Sequence, residues 1–212
     1  MWYNSRHYPD PTAGAAFARI GKEERRLNSG KEFENDWRRS VPPDVWYYRL
    51  RDSSATFYGG AQEGIRFAPD NICDCVLYRW PYLHLVELKT VAQSPASLSA
   101  MFGRFDPDKE RYKKQKHLED MDAAAAHPGV VASVVINYRG SSHTYAVSVG
   151  KVLSFLSAAI HGHGRKSIPE SWCQEHGVLV PQQLLRVHYR YDVREMMTRT
   201  EGRAEDERPD QP

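Results

Sequence analysis

Asp74 is followed, after twelve intervening residues, by the triplet Glu87-Leu88-Lys89. Side chains two apart on an extended strand leave from the same face, so a strand through this triplet projects Glu87 and Lys89 together. The flanking residues predict such a strand. Ile72–Tyr78 (ICDCVLY) and Leu83–Thr90 (LHLVELKT) are two apolar, β-favouring runs joined by Arg79-Trp80-Pro81-Tyr82, and the short connection predicts an antiparallel hairpin. Pairing of that kind brings Asp74 beside the Glu-x-Lys pair. Two carboxylates held a few ångströms apart repel, and a hard divalent cation relieves the repulsion. Mg²⁺, with Mn²⁺ as a substitute, takes one or two protein carboxylates, keeps several waters and binds phosphate oxygens. A neighbouring lysine can orient an attacking water, favour its hydroxide form and offset charge on a scissile phosphate. The same spacing also fits a surface hairpin with an ordinary Glu–Lys pair.

The elements that must position these groups can be read along the chain. Ala13–Leu27 is rich in Ala, Glu and Arg and reads as helix, interrupted at Asn28-Ser29-Gly30. Ser29 and Glu32 have capping-box spacing, which predicts a helix from Gly30 to Arg39, with Phe33 and Trp37 on one face and Pro42-Pro43 ending it. Val45–Leu50 (VWYYRL) reads as a strand and Ser53–Gly64 as a loop. Asp106-Pro107 has the form of an N-cap followed by proline at the first helical position, predicting a helix to about Ala126. Gly129–Tyr138 (GVVASVVINY) and His143–Val149 read as strands, Val152–Ile160 as a short apolar helix, and Gly162–Gly164 as a break. A last strand is expected over Leu184–Tyr189 and a helical end near Val193–Met197. The expected fold class is α/β (α+β): a mixed central sheet flanked by helices.

This order of parts resembles the PD-(D/E)xK nuclease superfamily. There a helix with Glu, a strand with Asp, a strand with Glu-x-Lys and a helix with Gln or Lys follow one another. Here they correspond to Gly30-Lys31-Glu32-Phe33-Glu34, Asp74, Val86-Glu87-Leu88-Lys89-Thr90, and Gln115 with His117. Within the superfamily the chain is most similar to the RecU-type Holliday-junction resolvases, over roughly Gly30 to Tyr189. GVVASVVINY, HTYAVSV and Gly164-Arg165-Lys166-Ser167-Ile168 extend the likeness. The resemblance implies a restriction-endonuclease-like fold and Mg²⁺-dependent cleavage of branched DNA by a homodimer in recombination and repair. By position, Asp74 and Glu87 would ligate metal, Lys89 would serve the water and the phosphate, Glu34 would be the helix acid near the metal, and Gln115 would assist. The chain departs from the family in having Ile72-Cys73 before the aspartate, where a threonine is usual. The Pro42–Asn71 interval, where the family places a junction-entering stalk, is short. A nuclease acting on linear duplex DNA, for restriction or repair, and a non-catalytic DNA-binding recombination factor remain the alternatives.

Composition bounds the rest. The chain has 212 residues, 41% hydrophobic and 26% charged, which suits one domain with a real core. It contains no apolar run of transmembrane length and no signal-peptide pattern, so no membrane partner is expected. Three cysteines suit a reducing cytoplasm better than a disulfide framework. The net charge of +2 is unevenly spread: five acids and two bases fall in Thr200–Pro212, leaving +5 on the remainder. The expected organisation is a loose N-terminus over residues 1–12, one nuclease-like domain over 13–199 and a disordered acidic tail over 200–212. The basic residues Lys113, Lys114 and Lys116 on the helix after Asp106, Arg165 and Lys166 in a glycine-flanked loop, and Arg49 and Arg51 are candidates for phosphate contact. Cys73 and Cys75 lack a second pair for zinc and alternate to the face opposite Asp74, as buried packing residues would. His161-Gly162-His163 reads as a loop. Neither a G-x-S-x-G nucleophile elbow nor a P-loop is present.

Overall fold

The structure is a computed structural model that describes residues 29–50, 71–162 and 164–206. The expected N-terminal helix over Ala13–Leu27, the Ser53–Gly64 loop, Arg51 and His163 lie outside the described residues. Helix α1 (29–40) is followed by strand β1 (Trp46–Arg49), then by the hairpin β2 (Cys75–Arg79) and β3 (Tyr82–Val91). Next come β4 (Ala96–Ser97), α2 (Leu98–Phe102), β5 (Phe105–Asp106), β6 (Arg111–Tyr112) and α3 (Gln115–Ala125). A second hairpin, β7 (Val130–Tyr138) and β8 (His143–Ser148), leads into α4 (Val149–Ile160). The chain continues through β9 (Ser167–Ile168), α5 (Glu170–His176), β10 (Val178–Leu179), β11 (Gln182–Leu184), β12 (Tyr189–Tyr191) and α6 (Val193–Asp206).

The architecture is a mixed central sheet flanked by helices, as the alternation of elements predicts. Six strands run in the order β1-β2-β3-β7-β8-β10. Among the described residues only β3 and β7 pair in parallel, over nine positions from Leu83 opposite Val130 to Val91 opposite Tyr138. A parallel pair needs a long crossover, which here contains α2, the small β5–β6 hairpin and α3. The centre of the sheet is covered on both faces, which explains why β7 is a nearly unbroken apolar run. On one face Phe33 and Trp37 of α1 and Met196 and Met197 of α6 pack against Leu77, Val86, Leu88 and Val135. On the other, Leu118 and Met121 of α3 and Val152 and Leu156 of α4 pack against Leu85, Val134, Ile136 and Val147. Among the described residues no helix is long and apolar enough to cross a membrane.

Four expectations need correction. Asp106-Pro107 does not open a helix: β5 and β6 pair across a turn, and the Asp106 carboxylate accepts a hydrogen bond from the Asp108 amide. Aspartate at the first position of a turn with proline next is a β-turn signal as much as a helix start. Lys109 therefore sits in a turn, Lys113 and Lys114 precede α3, and of the expected basic helix only Lys116 is helical. The single strand over Leu184–Tyr189 is instead a hairpin, with Gln182–Leu184 paired to Tyr189–Tyr191. Cys73 and Cys75 are both buried, but on opposite sides of the sheet: the chain bends at 72–74 and alternation begins only at Cys75.

The fourth correction concerns the tail. Residues 200–206 are helical, and α6 is anchored where disorder was expected. Glu201 is buried; its carboxylate holds Arg79 Nη2 at 2.9 Å and His84 Nε2 at 3.0 Å. These bonds to His84 and Arg79 keep the Glu201 carboxyl below the usual glutamate range against the opposing effect of burial. Composition alone missed this because a buried acid with two basic partners looks, in sequence, like a solvated one. Removing one member of such a network leaves the others desolvated and unpaired, so Glu201→Ala is expected to destabilise the fold by about 2–4 kcal/mol. Urea unfolding followed by circular dichroism measures this, and a loss under about 0.5 kcal/mol would mean the network carries no stability.

Candidate active site

The β2–β3 hairpin pairs Cys75 with Val86, which leaves Asp74 beside Glu87 at the point where β2 begins. Asp74 is tied into the ladder by its backbone and side chain. Its amide donates to Val86 O at 3.2 Å, and its Oδ2 accepts the Leu88 amide at 2.7 Å. A carboxylate thus replaces a main-chain partner on β3, and this fixes it next to the Glu-x-Lys triplet. Within the triplet, Val86 and Leu88 enter the core under α1, so Glu87 and Lys89 share the opposite face. Glu87 is buried, and Lys89 Nζ is ion-paired with Glu87 Oε1.

Helix α1 brings the fourth group. Phe33 and Trp37 hold its inner face in the core, which turns the adjacent Glu34 toward the end of β1. There Arg49 Nη2 lies 2.5 Å from Glu34 Oε2, although this buried oxygen receives no aligned hydrogen bond. Arg49, expected as a phosphate contact, is engaged with the helix acid instead.

These groups sense one another. Burial, then the charge of Glu87, pushes the Asp74 carboxyl up to about 7; Lys89 and the Leu88 amide oppose the shift, and Glu34 adds to it. For Lys89, burial works against the charge, but Glu87 and Asp74 outweigh it and hold the ammonium above the usual lysine range. The result is a largely buried pair of acids, Asp74 and Glu87, with one cation, Lys89, and residual carboxylate repulsion to which Glu34 adds from α1. Burial raises the Cys73 thiol to about 12 and holds Cys75 well above the usual thiol range, so neither is a ready nucleophile or metal thiolate.

The donor set suits a hard divalent ion. Every candidate ligand is a carboxylate oxygen, the Asp74–Glu87 repulsion is what a cation would relieve, and Glu34 Oε2 is a buried acceptor without an aligned donor. Among the described residues no three His, Cys, Asp or Glu side chains converge as a ready-made cation site. Two carboxylates, with waters and substrate oxygens completing the shell, are what Mg²⁺ ordinarily uses.

The remaining expected residues divide. Gln115, the first residue of α3, is occupied locally: its Oε1 accepts the Tyr112 amide and its Nε2 donates to Glu119. Its amide is therefore spent on the β6–α3 junction and not on the acids. Lys116 pairs with Asp120 one turn along. Lys113, Lys114, Arg165 and Lys166 are exposed. They are also drawn together: Leu98, at the start of the five-residue helix α2, donates its amide to Lys166 O, and Lys114 donates its own amide to Phe102 O at the other end. A five-residue helix is about 7.5 Å long, so two basic loops flank the segment that follows β3. Sequence reading found the residues but not their meeting place, because α2 and the β4–β9 pair that create it are too short to carry a pattern. Compared with known proteins, the chain matches no protein-family model and no curated sequence.

Proposed function

We propose that the protein is a Mg²⁺-dependent DNA endonuclease with a restriction-endonuclease-like fold, selective for branched DNA and acting as a homodimer. The observation that carries the reading is the Asp74–Glu87–Lys89 cluster: two adjacent carboxylates and a buried ammonium on one end of a mixed sheet, with Glu34 beside them. Bound there, the cation supplies Lewis acidity and lowers the pKa of water. Asp74 and Glu87 hold it. Lys89, charged and already fixed by Glu87, donates toward a non-bridging phosphate oxygen and orients the attacking water. Glu34 adds negative potential, and Arg49 limits it. The exposed Lys113, Lys114, Arg165 and Lys166 hold the phosphate backbone beside β3 without reading bases.

Branched-DNA selectivity rests on the resemblance to the RecU-type resolvases, and a symmetric dimer would match the two-fold symmetry of a four-way junction. Digestion of a synthetic four-way junction and of a linear duplex, side by side in Mg²⁺, tests it. Faster cutting of the junction is expected; equal rates would favour the linear-duplex nuclease.

A further inference from the structure

Strand β1, the edge of the sheet among the described residues, carries a patch that the cluster does not use. Tyr47 packs into the core beneath α1, so Trp46 and Tyr48 take the other face, and they are 57% and 51% exposed. Their rings are nearly parallel, 6° apart, with centroids 5.8 Å from each other. Tyr78, directly opposite Trp46 on β2, is 38% exposed, and Trp80, in the following turn, is 82% exposed. Four large aromatic side chains in water on one edge are costly unless something covers them.

The position of the patch says what that is. Alternation along β3 puts Glu87 and Lys89 on the same sheet face as Trp46, Tyr48 and Tyr78, since Tyr47, Leu77, Val86 and Leu88 all enter the opposite core. Tyr48 pairs with Val76, and Val76 with Leu85, two residues before Glu87. At about 4.8 Å between strands and 3.3 Å per residue, Tyr48 lies about 12 Å from Glu87 on the same face of the sheet. On the opposite, α1 side of β1, Arg38 and Arg49 line a cleft of about 330 Å³ with Glu34, to which Arg49 is paired. Exposed ring faces are what binds unpaired nucleotides, by stacking on their bases. Bases inside a duplex are stacked on one another and cannot reach the rings.

We propose that Trp46 and Tyr48, with Tyr78 beside them, form a stacking platform for unpaired bases of a DNA strand whose backbone continues toward the Glu87–Lys89 face. The proposal rests on the nuclease reading and deepens it: the preferred substrate carries splayed or single-stranded nucleotides next to the scissile phosphate. The test is fluorescence anisotropy of a labelled oligothymidylate and of a blunt duplex of equal length, titrated with full-length protein in EDTA so that no cutting occurs. Trp46→Ala/Tyr48→Ala is expected to weaken oligothymidylate binding by about tenfold or more, with Trp46→Phe/Tyr48→Phe and duplex binding within about twofold of wild type. Oligothymidylate affinity unchanged in the alanine pair would overturn the platform. So would conversion of a dimer to a monomer by that pair in light scattering, which would make the face a contact between copies. Ring-dependent binding by a protein that cuts no DNA in Mg²⁺ would leave the platform standing and remove the nuclease reading. Normal cutting with normal binding in the alanine pair would do the reverse.

Discussion

Lys89→Ala protein is expected to cut a four-way junction about a hundred- to a thousand-fold more slowly than wild type, the usual cost of removing one preorganised charge from a developing anion. Junction binding should change little, because the exposed lysines and arginines proposed to hold the backbone are untouched. The reason lies in the burial of Lys89. Its ammonium is paired to Glu87 in a nearly dry site, and the surrounding acids keep it protonated. A mobile surface lysine could be replaced by solvent; one held here cannot. Single-turnover cleavage, with gel-shift binding in parallel, measures both quantities. A rate within a few fold of wild type would remove Lys89 from the chemistry and leave it as a partner for a buried glutamate.

Asp74→Asn should lose cleavage and gain stability together. In the metal-free protein the Asp74 carboxyl titrates near 7 when folded, against 3.8 for the free side chain. The sign follows from proton linkage. The folded state binds the proton more tightly than the unfolded chain, so the contribution of this group is fully present below about pH 4 and is lost as pH rises through 7. At pH 8 the wild type therefore carries an ionised, largely buried carboxylate facing Glu87, a burden of up to about 4 kcal/mol. Asparagine keeps an acceptor for the Leu88 amide and removes the charge. The variant is expected to be more stable by about that amount at pH 8 in EDTA, with the difference vanishing toward pH 4. Mg²⁺ should narrow the gap by stabilising wild type alone. Urea midpoints at the two pH values, with and without Mg²⁺, check this. A variant that is no more stable at pH 8 than at pH 4, relative to wild type, would mean that the repulsion does not exist.

Much of this arrangement was legible in the residues because each part had a local signal. The hairpin joining Asp74 to Glu87 followed from two β-favouring runs and a short connection, and its register put the acids together. Phe33 and Trp37, four apart, placed α1 on the sheet and Glu34 at its edge. The failures came where local signals are ambiguous or global packing decides. Asp106-Pro107 suits a turn as well as a helix start. Arg49 looked like a free cation, yet its partner lies on another element, fifteen residues earlier in the chain. Glu201 looked like part of a solvated acidic tail, while two basic side chains more than a hundred residues upstream bury it. The alternation in Val45–Leu50 could have shown that Tyr47 and its aromatic neighbours face opposite ways, but only the neighbouring strands reveal that Trp46 and Tyr48 stay uncovered.

The central claim is that Asp74, Glu87 and Lys89 form a cation-dependent phosphodiester-cleaving site. Its most direct test is incubation of full-length wild-type protein with an end-labelled four-way junction in Mg²⁺ and, separately, in EDTA. Discrete cleavage products in Mg²⁺ and none in EDTA are the expected result. Intact DNA in Mg²⁺ and in Mn²⁺, or the same products in EDTA, would contradict it.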